Sequence, residues 1–202
     1  RSAAESLETR TLLTGNVQAV ISGGNLVLTG DVDSNEVQVS FDSGLNNIVV
    51  DGLNGTTING VSSQFTAFTG TQRLPGSILA ALGDGDDVLT INGVIALDNV
   101  EANGEAGDDT ITLNNTHSGD NVELNGGAGK DIFRFDDDDV DGSRDYILDF
   151  TNRIDIIDLS GIDANRNTVD DDAFVRIGKA QFSGTAGELR LVSGTLYGDT
   201  DG

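Results

Sequence analysis

The chain has 202 residues and a formal net charge of −23, from 34 acidic and 11 basic side chains. This acidic excess argues against nucleic acid and anionic membrane surfaces as partners, because both would repel it. The chain has no cysteine, which excludes disulfides and thiolate chemistry, and it has no apolar run long enough for a membrane-spanning helix.

Residues 1–15 are predicted to be a polar lead-in. Residues 6–13, Ser-Leu-Glu-Thr-Arg-Thr-Leu-Leu, resemble a short element near the start of many exported planctomycete proteins. The alternative is a terminal segment whose two leucines pack on the first strand.

Residues 16–76 are predicted to be an antiparallel β meander. Residues 17–21 and 26–29 flank Gly23-Gly24, a pattern that predicts a hairpin. The meander either caps the following region or forms its first irregular coils.

Residues 82–135 repeat with a period of 22 residues, which separates Asp87 from Asp109 and Asp109 from Asp131. After each of these aspartates, apolar residues alternate with polar ones, as in a strand with one buried face. A fixed period of this size predicts a solenoid whose coils bury their apolar sides by stacking. The expected fold is therefore all-β, a parallel β-roll or β-helix over residues 77–150. Residues 76–79 lie one period before residues 98–101 and predict a preceding coil.

Stacking would place Asp87, Asp109 and Asp131 at strand spacing, about 4.8 Å apart. Like charges at that spacing repel each other unless a cation lies between them. Glycines in the turns adopt positive φ angles and expose backbone carbonyls. Carboxylate and carbonyl oxygens suit Ca²⁺, so the pattern predicts two calcium sites, one between each pair of neighbouring coils. The predicted ligands are Gly83, Gly85, Asp87, Gly104, Gly107, Asp109, Gly126, Gly127, Gly129 and Asp131.

Residues 126–134, Gly-Gly-Ala-Gly-Lys-Asp-Ile-Phe-Arg, resemble the nonapeptide of RTX proteins, the repeat of calcium-bound β-rolls. The second turn departs from this nonapeptide at Glu105 and the first turn departs at Leu82. The period is also longer than that of two paired nonapeptides. The resemblance implies a β-roll with one calcium-loaded edge and an extended opposite edge.

The acidic run at residues 136–139 and Asp141 is predicted to be a solvated turn, with a further metal position as the alternative. Residues 145–150 (Asp-Tyr-Ile-Leu-Asp-Phe) and 155–161 (Asp-Ile-Ile-Asp-Leu-Ser-Gly) resemble the segment that closes the β-roll of serralysin-type secreted metalloproteases. This resemblance implies that Asp145 and Asp149 help to close the last calcium turn. It also implies that residues 151–202 form a serralysin-type C-terminal region that is incomplete at its end.

No catalytic site is apparent in the sequence. The catalytic domain of the serralysin family holds zinc through histidines, whereas this chain has only His117, which is predicted to lie in an exposed loop. The enzyme alternative is a calcium-dependent polysaccharide lyase or epimerase on a parallel β-helix. Its base would have to be Lys130 or Arg134.

The sequence therefore predicts a secreted, extracellular and monomeric calcium-binding module whose folding is driven by Ca²⁺. Two roles remain open. The module is either an export and folding domain covalently linked to a larger hydrolase, or a domain that attaches to a cell-surface or matrix polymer.

Overall fold

The computed structural model describes residues 15–136 and 145–202. The planctomycete-like segment and residues 137–141 of the acidic run lie outside these ranges, so their interpretations stay predictions. The described residues form strands and turns without any helix, which confirms the all-β class. They accordingly contain no helix with the length and apolar character needed to cross a membrane.

The strands of the described residues are β1 (Asn16–Ser22), β2 (Asn25–Thr29), β3 (Glu36–Asp42), β4 (Asn47–Gly52), β5 (Thr57–Ile58), β6 (Phe65–Thr69), β7 (Arg73–Leu74), β8 (Ile78–Ala81), β9 (Val88–Asn92), β10 (Ile95–Ala96), β11 (Val100–Asn103), β12 (Thr110–Asn114), β13 (His117–Ser118), β14 (Val122–Asn125), β15 (Ile132–Asp136), β16 (Asp145–Ile147), β17 (Ile156–Gly161), β18 (Val175–Gly178), β19 (Glu188–Val192) and β20 (Thr195–Asp199).

Two seven-stranded sheets contain most of these strands. The first sheet has the order β16-β14-β11-β8-β2-β1-β5, and the second has the order β17-β15-β12-β9-β3-β4-β6. Two three-stranded sheets, β13-β10-β7 and β18-β19-β20, complete the described fold. From β8 to β17 the chain passes repeatedly from the first large sheet to the second. Between β9 and β11, and again between β12 and β14, it also contributes a short strand (β10 or β13) to the sheet β13-β10-β7.

The repeated strands pair in parallel, and the sequence period sets their register. Ile111 lies opposite Leu89 on one side and Phe133 on the other. In the first sheet, Val100 lies opposite Ile78 and Val122, which confirms the predicted pairing of residues 76–79 with residues 98–101. A slip of one residue would turn every apolar side chain outward, and burial therefore selects this register.

The predicted hairpin is confirmed, because β1 and β2 pair in antiparallel fashion around Gly23-Gly24. The segment 16–76 is nevertheless continuous with the region that follows it. Strand β2 pairs in parallel with β8, and β3 pairs in parallel with β9. Both large sheets thus extend across residue 76, because β2 and β3 carry buried side chains in line with those of β8 and β9.

Columns of apolar side chains fill the core. Leu89, Ile111 and Phe133 form one buried column, and Ile91 and Leu113 form a second, as the alternating pattern predicts. Each buried leucine or isoleucine contributes roughly 1.5–3 kcal/mol relative to an exposed one. These columns fix the ends of the strands, and with them the position of the turns that join the first sheet to the second.

Candidate metal centre

Three turns stack where the chain passes from the first sheet to the second. They are turn 1 (residues 82–87), turn 2 (residues 104–109) and turn 3 (residues 126–131). Backbone hydrogen bonds join neighbouring turns, since the Gly85 N–H donates to the Ala106 carbonyl at 2.7 Å and the Gly107 N–H donates to the Ala128 carbonyl at 2.9 Å. We call each gap between neighbouring turns a junction.

The sixth residue of each turn belongs to a ladder of buried side chains. Oδ1 of Asp109 accepts the Asp87 backbone N–H at 2.8 Å, and Oδ1 of Asp131 accepts the Asp109 N–H at 3.0 Å. The ladder continues in both directions, from the Asn35 N–H to Asp87 Oδ1 at 2.6 Å and from the Asp131 N–H to Asp155 Oδ1 at 3.1 Å. These hydrogen bonds orient every carboxylate in the same way.

The second carboxylate oxygens of Asp87, Asp109 and Asp131 are buried and have no hydrogen-bond partner. The three residues are at most 1% exposed. A buried carboxylate oxygen without a donor is costly, so it favours either a proton or a cation. The side-chain arrangement therefore leaves one unmatched anionic oxygen at each of three successive positions.

Burial changes the protonation of these groups. Loss of hydration is the largest effect and raises the pKa of Asp87 to about 7 and that of Asp109 to about 6, while backbone hydrogen bonds partly oppose it and the neighbouring aspartates add to it. The pKa of Asp131 is raised, also chiefly by burial. At neutral pH these carboxylates would gain from a positive charge beside them.

Glycine is required where neighbouring turns approach each other. A Cβ on Gly107 would overlap the carbonyl oxygen of Gly85, and a Cβ on Gly129 would overlap that of Gly107. The φ angles of Gly107 and Gly129, 148° and 152°, are also unfavourable for other residues. A Cβ on Gly104 would overlap both Oδ2 of Asp109 and the carbonyl oxygen of Gly126. Carbonyl and carboxylate oxygens thus line the junctions.

This donor set fits a hard divalent cation such as Ca²⁺, which takes six to eight oxygen ligands in flexible geometry. Among the described residues, no group of three or more Asp, Glu, His or Cys side chains is arranged to hold a metal ion. A cation at a junction would therefore depend on backbone carbonyls as well as on one or two carboxylates.

A second ladder lies on the exposed side of the turns and runs the opposite way. The Asp108 N–H donates to Asp86 Oδ1 at 2.9 Å, and the Lys130 N–H donates to Asp108 Oδ1 at 2.8 Å. These bonds hold the turns in register without burying charge.

The two aspartates implied by resemblance occupy different places. The carboxylate of Asp149 accepts the N–H groups of Gly126 and Gly127 at 3.0 and 2.6 Å, so it lies against turn 3. Asp145, which precedes Asp149 by four residues, lies on β16 opposite Val122. The structure brings Asp149 to the turn, whereas Asp145 pairs along the strand.

The sequence interpretation missed two members of the buried ladder, Asn35 and Asp155. Asp155 precedes Ile156-Ile157 as Asp131 precedes Ile132-Phe133, a likeness that could have identified it. Its offset of 24 residues departs from the period. Asn35 lies 52 residues before Asp87, because strands β4 to β6 are inserted between them, and no periodic signal indicates it.

Two of the residues considered for catalysis lie on strands, Arg134 on β15 and His117 on β13. Arg134 forms an ion pair with Asp158, from Nε to Oδ2 at 2.8 Å. Hydrogen bonds from Ser160, followed by the contact with Arg134, lower the pKa of Asp158 to about 2. His117 is half-buried in β13 opposite Ile95, so the exposed-loop prediction for it is wrong. Because Arg134 is engaged by Asp158, the lyase or epimerase alternative gains no support.

Comparison with known proteins gives one family match. The family model described as "Peptidase M10 serralysin C terminal" matches residues 64–195, which is more than half of the chain and includes all three turns. The model describes the non-catalytic C-terminal domain of serralysin-type proteases, and the resemblance seen in the sequence is confirmed. A search of curated proteins gave no match.

Proposed function

Because the chain belongs to the serralysin C-terminal family, we propose that it is a secreted, non-catalytic calcium-binding module. Its 22-residue coils pass through the two large sheets and the sheet β13-β10-β7. They form a parallel β-roll or β-helix over residues 77–150, which folds as Ca²⁺ binds at the junctions. One observation carries this proposal: Asp87, Asp109 and Asp131 each bury an oxygen without a hydrogen-bond donor.

The chain's own residues have separate roles in this proposal. The Oδ1 atoms in the buried ladder orient the carboxylates, and the Oδ2 atoms of Asp87, Asp109 and Asp131 would bind the ion. Backbone carbonyls would complete the oxygen set; they come from the turn glycines Gly83, Gly85, Gly104, Gly107, Gly126, Gly127 and Gly129. The carboxylate of Asp149 holds turn 3 by accepting hydrogen bonds from the backbone N–H groups of Gly126 and Gly127. When bound, Ca²⁺ supplies the positive charge that the buried carboxylates lack.

Calcium binding is coupled to folding because the junctions exist only when the coils are stacked. Binding free energy then appears as folding free energy. An extracellular module of this kind binds Ca²⁺ with dissociation constants on the order of 10⁻⁴–10⁻³ M. Such a module suits a chain that folds after it reaches a calcium-rich exterior. It would serve as the folding and export domain of a linked hydrolase, or as a domain that attaches to a surface or matrix polymer.

Circular dichroism of the full 202-residue chain tests the proposal. With millimolar Ca²⁺ we expect a strand spectrum and a cooperative thermal transition, and with excess chelator we expect loss of most of this structure. Mg²⁺ at the same concentration should restore little of it, because Mg²⁺ requires a tighter octahedral shell. An unchanged spectrum and melting temperature in chelator would refute calcium-coupled folding.

A further inference from the structure

The buried ladder starts with an amide, although the next three members are carboxylates. Residues 30–35, which we call the leading turn, stand before turn 1 in the same arrangement. Glu36 and Val37 pair in parallel with Val88 and Leu89. The Gly30 N–H donates to the Ala81 carbonyl at 2.8 Å. In the same way the N–H of Gly104, the first residue of turn 2, donates to the Asn125 carbonyl of the next coil at 2.9 Å. Asn35 is therefore the structural counterpart of Asp87, Asp109 and Asp131.

The side-chain nitrogen of Asn35 occupies the place that a carboxylate oxygen has in the later turns. Its Nδ2 donates to the Asp33 carbonyl at 2.7 Å, to Asp31 Oδ1 at 3.3 Å and to the Leu82 carbonyl at 3.5 Å. The leading turn and turn 1 can be compared with turn 2 and turn 3. In this comparison Asp33 corresponds to Gly107, and Leu82, the first residue of turn 1, corresponds to Gly126, the first residue of turn 3. The Gly126 carbonyl oxygen and Asp109 Oδ2 both lie beside Gly104.

The orientation of this amide is determined by its surroundings. Asn35 is 2% exposed, and three oxygen atoms face its Nδ2. Rotating the amide by 180° would direct Oδ1 at those oxygens and lose all three hydrogen bonds. In the observed orientation, Oδ1 lies beside Gly15 and is buried without a hydrogen-bond partner.

We infer that the junction between the leading turn and turn 1 works without a cation, because the Asn35 amide donates to the oxygens that Ca²⁺ would bind at the later junctions. This inference rests on the proposed calcium binding of turns 1 to 3. An N–H₂ group pointing into the junction repels a cation and satisfies the carbonyls at the same time. The first coil contact is thus independent of calcium and gives the calcium-dependent coils a folded template on which to stack.

Hydrogen exchange on the full chain provides the first test, because two matched amides report on the two kinds of junction. The Val88 N–H donates to the Asn35 carbonyl and the Ile132 N–H donates to the Asp109 carbonyl, both at 2.8 Å. In excess chelator, the Val88 amide should remain at least tenfold more protected than the Ile132 amide. Equal protection of the two amides in chelator would overturn the inference.

Reciprocal substitutions provide the second test, with calcium stoichiometry measured by calorimetric titration. Asn35→Asp should add about one ion per chain and make protection of the Val88 amide depend on calcium. Asp109→Asn should remove about one ion and raise protection of the Ile132 amide in chelator. Asn35→Ala should leave the ion count unchanged, because the amide is not a ligand.

The outcomes separate this inference from the proposed function. A wild-type chain that binds no Ca²⁺ refutes both. If the wild-type chain binds Ca²⁺ but Asn35→Ala loses an ion, or Asn35→Asp gains none, only the amide inference fails. The exchange measurement on the wild-type chain decides the matter even where a variant does not fold.

Discussion

The metal-free chain should become more stable as the pH falls from 8 to 5, which is the reverse of the usual behaviour of paired carboxylates. The pKa of Asp87 is raised from 3.8 to about 7, and that of Asp109 from 3.8 to about 6. A group with a raised pKa in the folded state binds its proton more tightly there than in the unfolded chain. Its stabilising contribution is complete below pH 4 and is lost as the pH rises through the folded-state pKa.

The size of the effect follows from the shifts. At about 1.4 kcal/mol per pKa unit, Asp87 accounts for roughly 4 kcal/mol and Asp109 for roughly 3 kcal/mol between pH 4 and pH 8. Their sum is comparable to the whole stability of a typical domain, about 5–15 kcal/mol. Asp158 does not disturb this window, because its pKa is lowered to about 2 and its contribution is lost only in stronger acid.

In chelator most of the structure is expected to be lost at neutral pH and regained as the pH falls. Circular dichroism in chelator at several pH values from 5 to 8 follows the folded fraction, and urea unfolding at those pH values where the chain is folded gives its free energy of unfolding. Asp87→Asn is the matched variant, because its amide oxygen still accepts the Asn35 N–H but cannot titrate. Between pH 5 and pH 8 we expect its free energy of unfolding to vary by about 3 kcal/mol less than that of the wild-type chain, because the rest of the effect of Asp87 falls below pH 5. A wild-type stability that is flat or rises between pH 5 and 8 would refute the reasoning, as would an identical slope in the variant.

Two further predictions concern the turns and the core, both measured by urea unfolding in saturating Ca²⁺. Gly107→Ala should destabilise the chain by about 2–4 kcal/mol, because its Cβ overlaps the Gly85 carbonyl. Gly23→Ala, with a positive φ but open space around it, should cost only about 1 kcal/mol, and equal losses would contradict the close approach of the turns. Leu113→Ala should cost about 2–5 kcal/mol, whereas Leu45→Ala, at a position that is 64% exposed, should change stability by less than about 0.5 kcal/mol.

The sequence alone was sufficient for the parts of the fold that repeat. The separation of Asp87, Asp109 and Asp131 predicts the parallel pairing of Ile111 with Leu89 and Phe133, and the structure has this register. It was predictable because each coil meets a copy of itself, so that one local pattern specifies both partners of a contact. The burial of the alternating apolar residues follows from the same pattern, since only one face of each strand is apolar.

Only the tertiary structure showed where the buried ladder begins and ends. Asn35 joins it across an insertion of several strands, and Asp155 joins it with a different offset, so neither contact follows the period. Asp149 reaches turn 3 while Asp145 stays on its strand. Which oxygen of each aspartate lacks a donor is likewise a property of the stacked turns. These features depend on contacts between segments that share no repeat, and such contacts are specified by the packing of the whole chain rather than by any local pattern.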